Sequence, residues 1–142
     1  MRKWLKRLGV VLIIVLIGIQ FVPIARTNPS ERGEVPAPPE VQSLLRRACY
    51  DCHSNETRWP WYAYVAPISF LLSRDVKEGR REVNFSIWGQ YNDRRKSRKF
   101  KEIVEQVETG KMPQWYYVLL HPEAKLAQTE RESIIKWAKE GP

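Results

Sequence analysis

The chain's only two cysteines, Cys49 and Cys52, fall three residues apart in RACYDCHSNETRW (47–59), and His53 follows the second directly. Two thiols and an imidazole at this spacing can do three kinds of chemistry. They can exchange electrons as a dithiol, help to ligate zinc, or attach a haem. A redox C-x-x-C motif belongs near a strand–helix unit, and no strand pattern precedes Cys49. A structural zinc site needs four ligands, and beyond this cluster the chain offers only His121 as a further Cys or His. C-x-x-C-H is the attachment pattern of c-type haem: the thiols add to the two porphyrin vinyl groups and the adjacent imidazole takes the proximal face of the iron. This reading assigns Cys49 and Cys52 to covalent attachment of one haem c, and His53 to the iron.

The sixth iron position narrows by elimination. Its usual ligands are Met and His, and the chain has two of each. Met1 lies beyond the N-terminal apolar run and His53 is already used, so Met112 and His121 remain. Met112 sits in ETGKMPQWYY, where Gly110 reads as a left-handed helix stop and Pro113 keeps Met112 extended. A thioether on such a fixed loop can reach a haem face, so Met112 is the candidate distal ligand. His121, in LLHPEAKL, reads instead as a surface or propionate-bonding histidine.

Helices must position these groups. Val41, Leu44, Leu45 and Ala48 fall at i, i+3, i+4 and i+7, and Cys49 and Cys52 continue the stripe. Pro39 suits a first-turn position. The spacing predicts one helix ending on the C-x-x-C-H turn, with Cys49, Cys52 and His53 on one side. Pro67–Gly79 reads as a second helix, with Ile68, Leu71, Leu72 and Val76 as its apolar face. A third follows a cap at Asn92 or Asp93 and buries Phe100, Ile103, Val104 and Val107. The last carries a capping box from Thr129 to Glu132 and an apolar face of Ile134, Ile135, Trp137 and Ala138. EVNFSIW alternates only briefly and reads as a loop packed on the core. The expected class is all-α, with four helices.

Ahead of this domain, MRKWLKR is basic and Leu8–Ala25 carries no charge over 18 positions. As a helix that run is about 27 Å long, close to the roughly 30 Å of bilayer hydrocarbon. No A-x-A cleavage pattern follows it, so residues 1–25 read as an uncleaved signal-anchor, with cleavage as the alternative. The flanking charges put the N-terminus in the cytoplasm and the rest outside. Residues 26–38, rich in proline, read as a stiff linker holding a domain over residues 39–142 away from the membrane. Half of the net charge of +8 lies on Arg2, Lys3, Lys6 and Arg7. The remainder is too small to argue for nucleic acid.

CYDCHSNETRWPWY, GKMPQWYYVLLHPEAKL and TERESIIKWA together resemble the small membrane-anchored, single-haem c-type cytochromes of the haem-binding domain family, over roughly residues 35–142. The resemblance implies a cytochrome c-like helical fold around one haem. It carries Cys49 and Cys52 over as attachment residues, His53 as proximal ligand and Met112 as distal ligand. It names no redox partner.

Two functions follow from such a site. Met and His ligation leaves no open iron position and raises the potential, which makes an electron carrier on the outer face of a bacterial inner membrane rather than an enzyme. The alternative is a haem sensor or peroxidase-like enzyme with a displaceable distal ligand, for which His121 is the acid–base candidate. The aromatics after each motif (Trp59, Trp61, Tyr62, Tyr64; Trp115, Tyr116, Tyr117) read mostly as core. Arg94, Arg95, Lys96, Arg98 and Lys99 read as the solvated start of a helix that could also dock an acidic redox protein.

Overall fold

The computed structural model describes residues 2–31 and 33–141. Met1 and Pro142, at the outer ends of the first and last segments, and Arg32 within the proline-rich stretch lie outside the described residues. Among the described residues the regular structure is all helical. The α-helices are α1 (Arg2–Gly18), α2 (Pro39–Ala48), α3 (Tyr50–His53), α4 (Ile68–Glu82), α5 (Asp93–Glu108), α6 (Trp115–Leu120) and α7 (Gln128–Glu140), with 3-10 turns at Ile19–Phe21, Trp61–Tyr64, Phe85–Gln90 and Pro122–Ala124.

The N-terminal helix and its 3-10 extension, Arg2–Phe21, are long and apolar enough to cross a membrane, and none of this span is buried. It starts earlier than the uncharged run and stops before that run ends, because Pro23 cannot continue it.

The core forms where α5 packs on α7 and α2 closes against both α7 and the segment after α6. Val41, Leu45 and Ala48 of α2 meet Phe100 and Val107 of α5 and Ile134, Trp137 and Ala138 of α7. Trp88 and Trp137 both stand edge-on to Phe100, at 4.9 and 5.2 Å between ring centres. The EVNFSIW segment is packed on this core as its sequence suggests, but as a 3-10 turn that buries Phe85 and Trp88.

Four expectations are corrected. The first helix breaks at Cys49, whose backbone leaves helical geometry (φ −128°, ψ −35°), so the C-x-x-C-H turn is a separate short helix, α3. The second helix does not stop at Gly79 but runs to Glu82. The last begins at Gln128, and Glu130 Oε2 accepts from the Ala127 backbone N–H at 2.8 Å in place of the Thr129–Glu132 box. Residues 26–31 and 33–38 form no helix, in keeping with their prolines, yet they do not act as a spacer. Val35 is buried in the core and Trp137 Nε1 donates to Pro36 O. This stretch is a strap laid on the domain.

Most of the aromatics after the two motifs are not core either. Trp61, Tyr64 and Trp115 are exposed. The buried rings come from Tyr50, Phe85, Trp88, Tyr91, Phe100 and Trp137.

Candidate functional site

A cavity of about 370 Å³ opens between α3, α4, α5 and the loop before α6, with α2 and α7 at its back, within the roughly 300–1,000 Å³ typical of cofactor pockets. Cys49, Cys52, His53 and Met112 all line it. Its apolar walls are Leu45, Ala48, Val83, Phe85, Ile103 and Ile134. His121 is not among its residues. It lies beside a separate small void, its ring stacked on Tyr117 at 4.2 Å and its Nε2 3.0 Å from Tyr62 Oη.

Local geometry fixes His53. Its Nδ1 lies 2.9 Å from Gly79 O and 3.2 Å from Val83 O, so Nδ1 carries the proton and Nε2 keeps its lone pair. Burial pushes the imidazole pKa below its usual value, with the two carbonyls opposing in part. The ring therefore stays neutral, as an iron ligand must be. The end of α4 and the residue after it can come close enough to supply those carbonyls because residue 79 is glycine. A Cβ there would stand 2.5 Å from Cys52 O.

Cys49 and Cys52 are free thiols. Burial pushes Cys49 up to about 12, with Cys52 adding to the effect, and burial with Asp51 and Asp75 pushes Cys52 up to about 12. This is the reverse of the electropositive setting that activates a redox dithiol. Among the described residues no three His, Cys, Asp or Glu are grouped to hold a metal ion by themselves.

Met112 is held off any helix, as Gly110 and Pro113 suggest. Gly110 takes a positive φ of 69°, and the Met112–Pro113 bond is cis. The Met112 N–H donates to Gln106 O at 3.1 Å, which ties the loop back to α5.

Several site-building residues had no signal in the sequence. Asp51, between the cysteines, accepts from Tyr117 Oη at 2.8 Å and from Arg58 N, Nε and Nη2 at 3.1–3.2 Å. Arg80 donates to Ser54 O, Thr27 O, Asn28 Oδ1 and Thr57 Oγ1, clamping α4 to the strap and to the loop after α3. Lys99 leaves the basic run altogether: it is buried, lines the cavity, and its Nζ lies 2.6 Å from Glu102 Oε2. Arg94, Arg95 and Arg98 of that run remain exposed.

An all-helical domain with a C-x-x-C-H turn in the wall of an apolar cavity defines a haem protein, and the donor set and the cavity fit that group. The chain belongs to the haem-binding domain family, whose model matches residues 14–140. It therefore binds haem. No curated protein and no solved structure matches the chain.

Proposed function

We propose that the protein is a single-haem c-type electron carrier, held in a bacterial inner membrane by α1 with its haem domain on the periplasmic side. The observation that carries this reading is the gathering of Cys49, Cys52, His53 and Met112 around one cavity, with His121 outside it. Bound haem supplies a one-electron ferric–ferrous couple. Cys49 and Cys52 would hold it by thioether bonds, with His53 on one side of the iron and Met112 on the other. The Met thioether is neutral and soft, so it favours ferrous iron and a raised potential. The sensor or peroxidase-like alternative needs an acid–base group over a displaceable sixth position. Its candidate, His121, is instead engaged by Tyr62 and Tyr117. Arg2, Lys3, Lys6 and Arg7 favour a cytoplasmic N-terminus. Exposed Arg94, Arg95 and Arg98 suit an acidic redox partner.

Optical spectra of the purified full chain test this reading. Haem that stays with the protein in acid acetone is expected, together with weak long-wavelength absorption in the ferric state and little carbon monoxide binding in the ferrous state. Met112→Ala should open the iron to carbon monoxide and lower the potential, while His121→Ala should leave the spectrum intact. Rapid carbon monoxide binding by the unaltered protein, or a low-spin spectrum lost only in His121→Ala, would overturn the carrier reading.

A further inference from the structure

The helix that forms the cavity wall also bears, at its other end, an apolar surface that the haem site does not use. Trp61 is 77% exposed, Tyr64 60%, Val65 42%, Ile68 42% and Leu71 44%. They occupy the Trp61–Tyr64 turn, the residue that follows it and the first turns of α4. None of them lines the haem cavity. The sequence assigns Ile68 and Leu71 to the buried face of α4, but of that face only Val76 is buried and Leu72 half-buried.

We propose that this surface lies in the outer headgroup region of the same bilayer that α1 crosses, so that the haem domain is docked on the membrane. The inference rests on the reading of α1 as a membrane anchor. What selects the bilayer is how the chain leaves α1. The Gln20 side chain makes a two-way contact with Ala66: Nε2 donates to Ala66 O at 3.1 Å, and Oε1 accepts from Ala66 N at 3.0 Å. Gln20 lies inside the apolar span itself. Further on, Ala25 O accepts from Ser73 Oγ at 2.9 Å, and Arg26 donates to Ala63 O with its guanidinium 4.4 Å from the Tyr64 ring centre. Residues 20–26 therefore run along the same segment that carries the exposed side chains. Any protein covering this face would compete with the lipid around the end of α1.

The chemistry of the face agrees. Trp and Tyr prefer the membrane–water boundary, where an apolar ring and a polar edge are both accommodated. Arg26 can reach headgroup phosphates from the same place while its stem covers Tyr64. The consequence concerns the site. Gly79, which supplies the His53 carbonyl, lies about 16 Å along α4 from Ile68, at 1.5 Å per residue. A docked face would fix the haem's position relative to the membrane, where a flexible tether would let it range.

The test uses the haem-loaded full chain in phosphatidylcholine vesicles doped with either of two photo-crosslinking lipids. One carries its reactive group near the headgroup and the other deep in the acyl chain. After illumination, tryptic peptides are read by mass spectrometry. The 59–74 peptide should take the headgroup-region label at least several-fold more than the 132–136 peptide of α7, and the 8–26 peptide should take the acyl-chain label. Replacing Trp61 and Leu71 together by Ser should cut labelling of 59–74 several-fold without changing the haem spectrum. Labelled 8–26 with unlabelled 59–74 overturns the docking and leaves the anchor standing. Absence of label from both peptides overturns the anchor reading beneath it. Protection of 59–74 together with carbodiimide-linked dimers would mean that a second copy covers the face, and would also overturn the proposal.

Discussion

Tyr117 Oη donates to Asp51 Oδ2 at 2.8 Å, across 66 residues of sequence. Asp51 stands between the two cysteines, and Tyr117 stands on α6, just beyond the Met112 loop. One hydrogen bond thus joins the C-x-x-C-H turn to the element that follows the opposite wall of the cavity. Burial, with the Asp51 carboxylate next in weight, pushes the Tyr117 hydroxyl well above its usual pKa, so it remains a donor at every physiological pH.

Tyr117→Phe should therefore destabilise the protein. A hydrogen bond to a charged group contributes about 1.5–3 kcal/mol. Asp51 keeps its bonds to Arg58, which points to the low end, about 1.5 kcal/mol. A lower urea midpoint at unchanged slope is the expected result. Under the proposed Met112 ligation, the haem-loaded variant should also show a weakened Met signature, because the segment after the loop loses its brace. A midpoint equal to that of the unaltered protein would show that this bond does not brace the site.

Gly79→Ala tests the approach of α4 to α3. In an exposed helix the change would gain up to about 1 kcal/mol from propensity. Here the added Cβ meets the Cys52 carbonyl oxygen at 2.5 Å. That is main chain, and it cannot swing aside. Overpacking of this kind costs about 1–3 kcal/mol, so a net loss is expected. His53 also takes its orientation from the Gly79 carbonyl. Haem content on expression should fall along with stability, and a variant at least as stable as the parent would refute the close contact.

These two residues also mark the limit of what the sequence discloses. The C-x-x-C-H cluster and the Gly110–Met112–Pro113 frame are legible because their signals are local: side-chain spacing, a positive-φ stop and a proline. That they line one cavity could be anticipated from those signals. The partners that build the cavity could not, because Asp51 with Tyr117, His53 with Gly79 and Arg80 with Thr27 pair across 26 to 66 residues with no periodic pattern. Gly79 reads as a helix end from composition alone, and only its neighbour Cys52 reveals it as a contact point. Lys99 reads as surface because it follows a run of arginines, yet the turn of α5 carries it inward to Glu102. The strap reads as a spacer because it lacks apolar periodicity, and an extended segment needs only a residue such as Val35 to be anchored.

Asp75 gives a pH-dependent prediction. Burial pushes its carboxyl pKa above the usual 3.8, and the bond from Tyr116 Oη, 2.9 Å from Oδ2, offsets part of the shift. The folded chain then holds this proton more tightly than the unfolded chain. Linkage makes stability fall as pH rises from about 3.8 through the folded-state pKa, and the whole penalty is present above it. Asp75→Asn keeps an acceptor for Tyr116 and removes the charge. It should be more stable than the parent at pH 7, with the advantage shrinking as the pH falls toward 3.8. Urea unfolding of both proteins at several pH values measures this. A constant difference, or a less stable variant at pH 7, contradicts it.

Removing haem should cost far more than any of these substitutions. The cavity of about 370 Å³ is bounded by residues of all six helices from α2 to α7 and by the Met112 loop. The cavity opens to solvent, so without haem its apolar walls would be wetted or would collapse. A domain of this size has a thin core of its own, and a typical domain is held together by only about 5–15 kcal/mol. Cys49→Ala with Cys52→Ala, expressed without attached haem, should keep helical circular dichroism in α1 but lose a sharp unfolding transition and bind a hydrophobic dye. The haem-loaded parent should unfold cooperatively with its cofactor still attached. A haem-free double variant that unfolds as sharply, and at the same denaturant concentration, would mean that the helices close the cavity by themselves and that haem adds nothing to the fold.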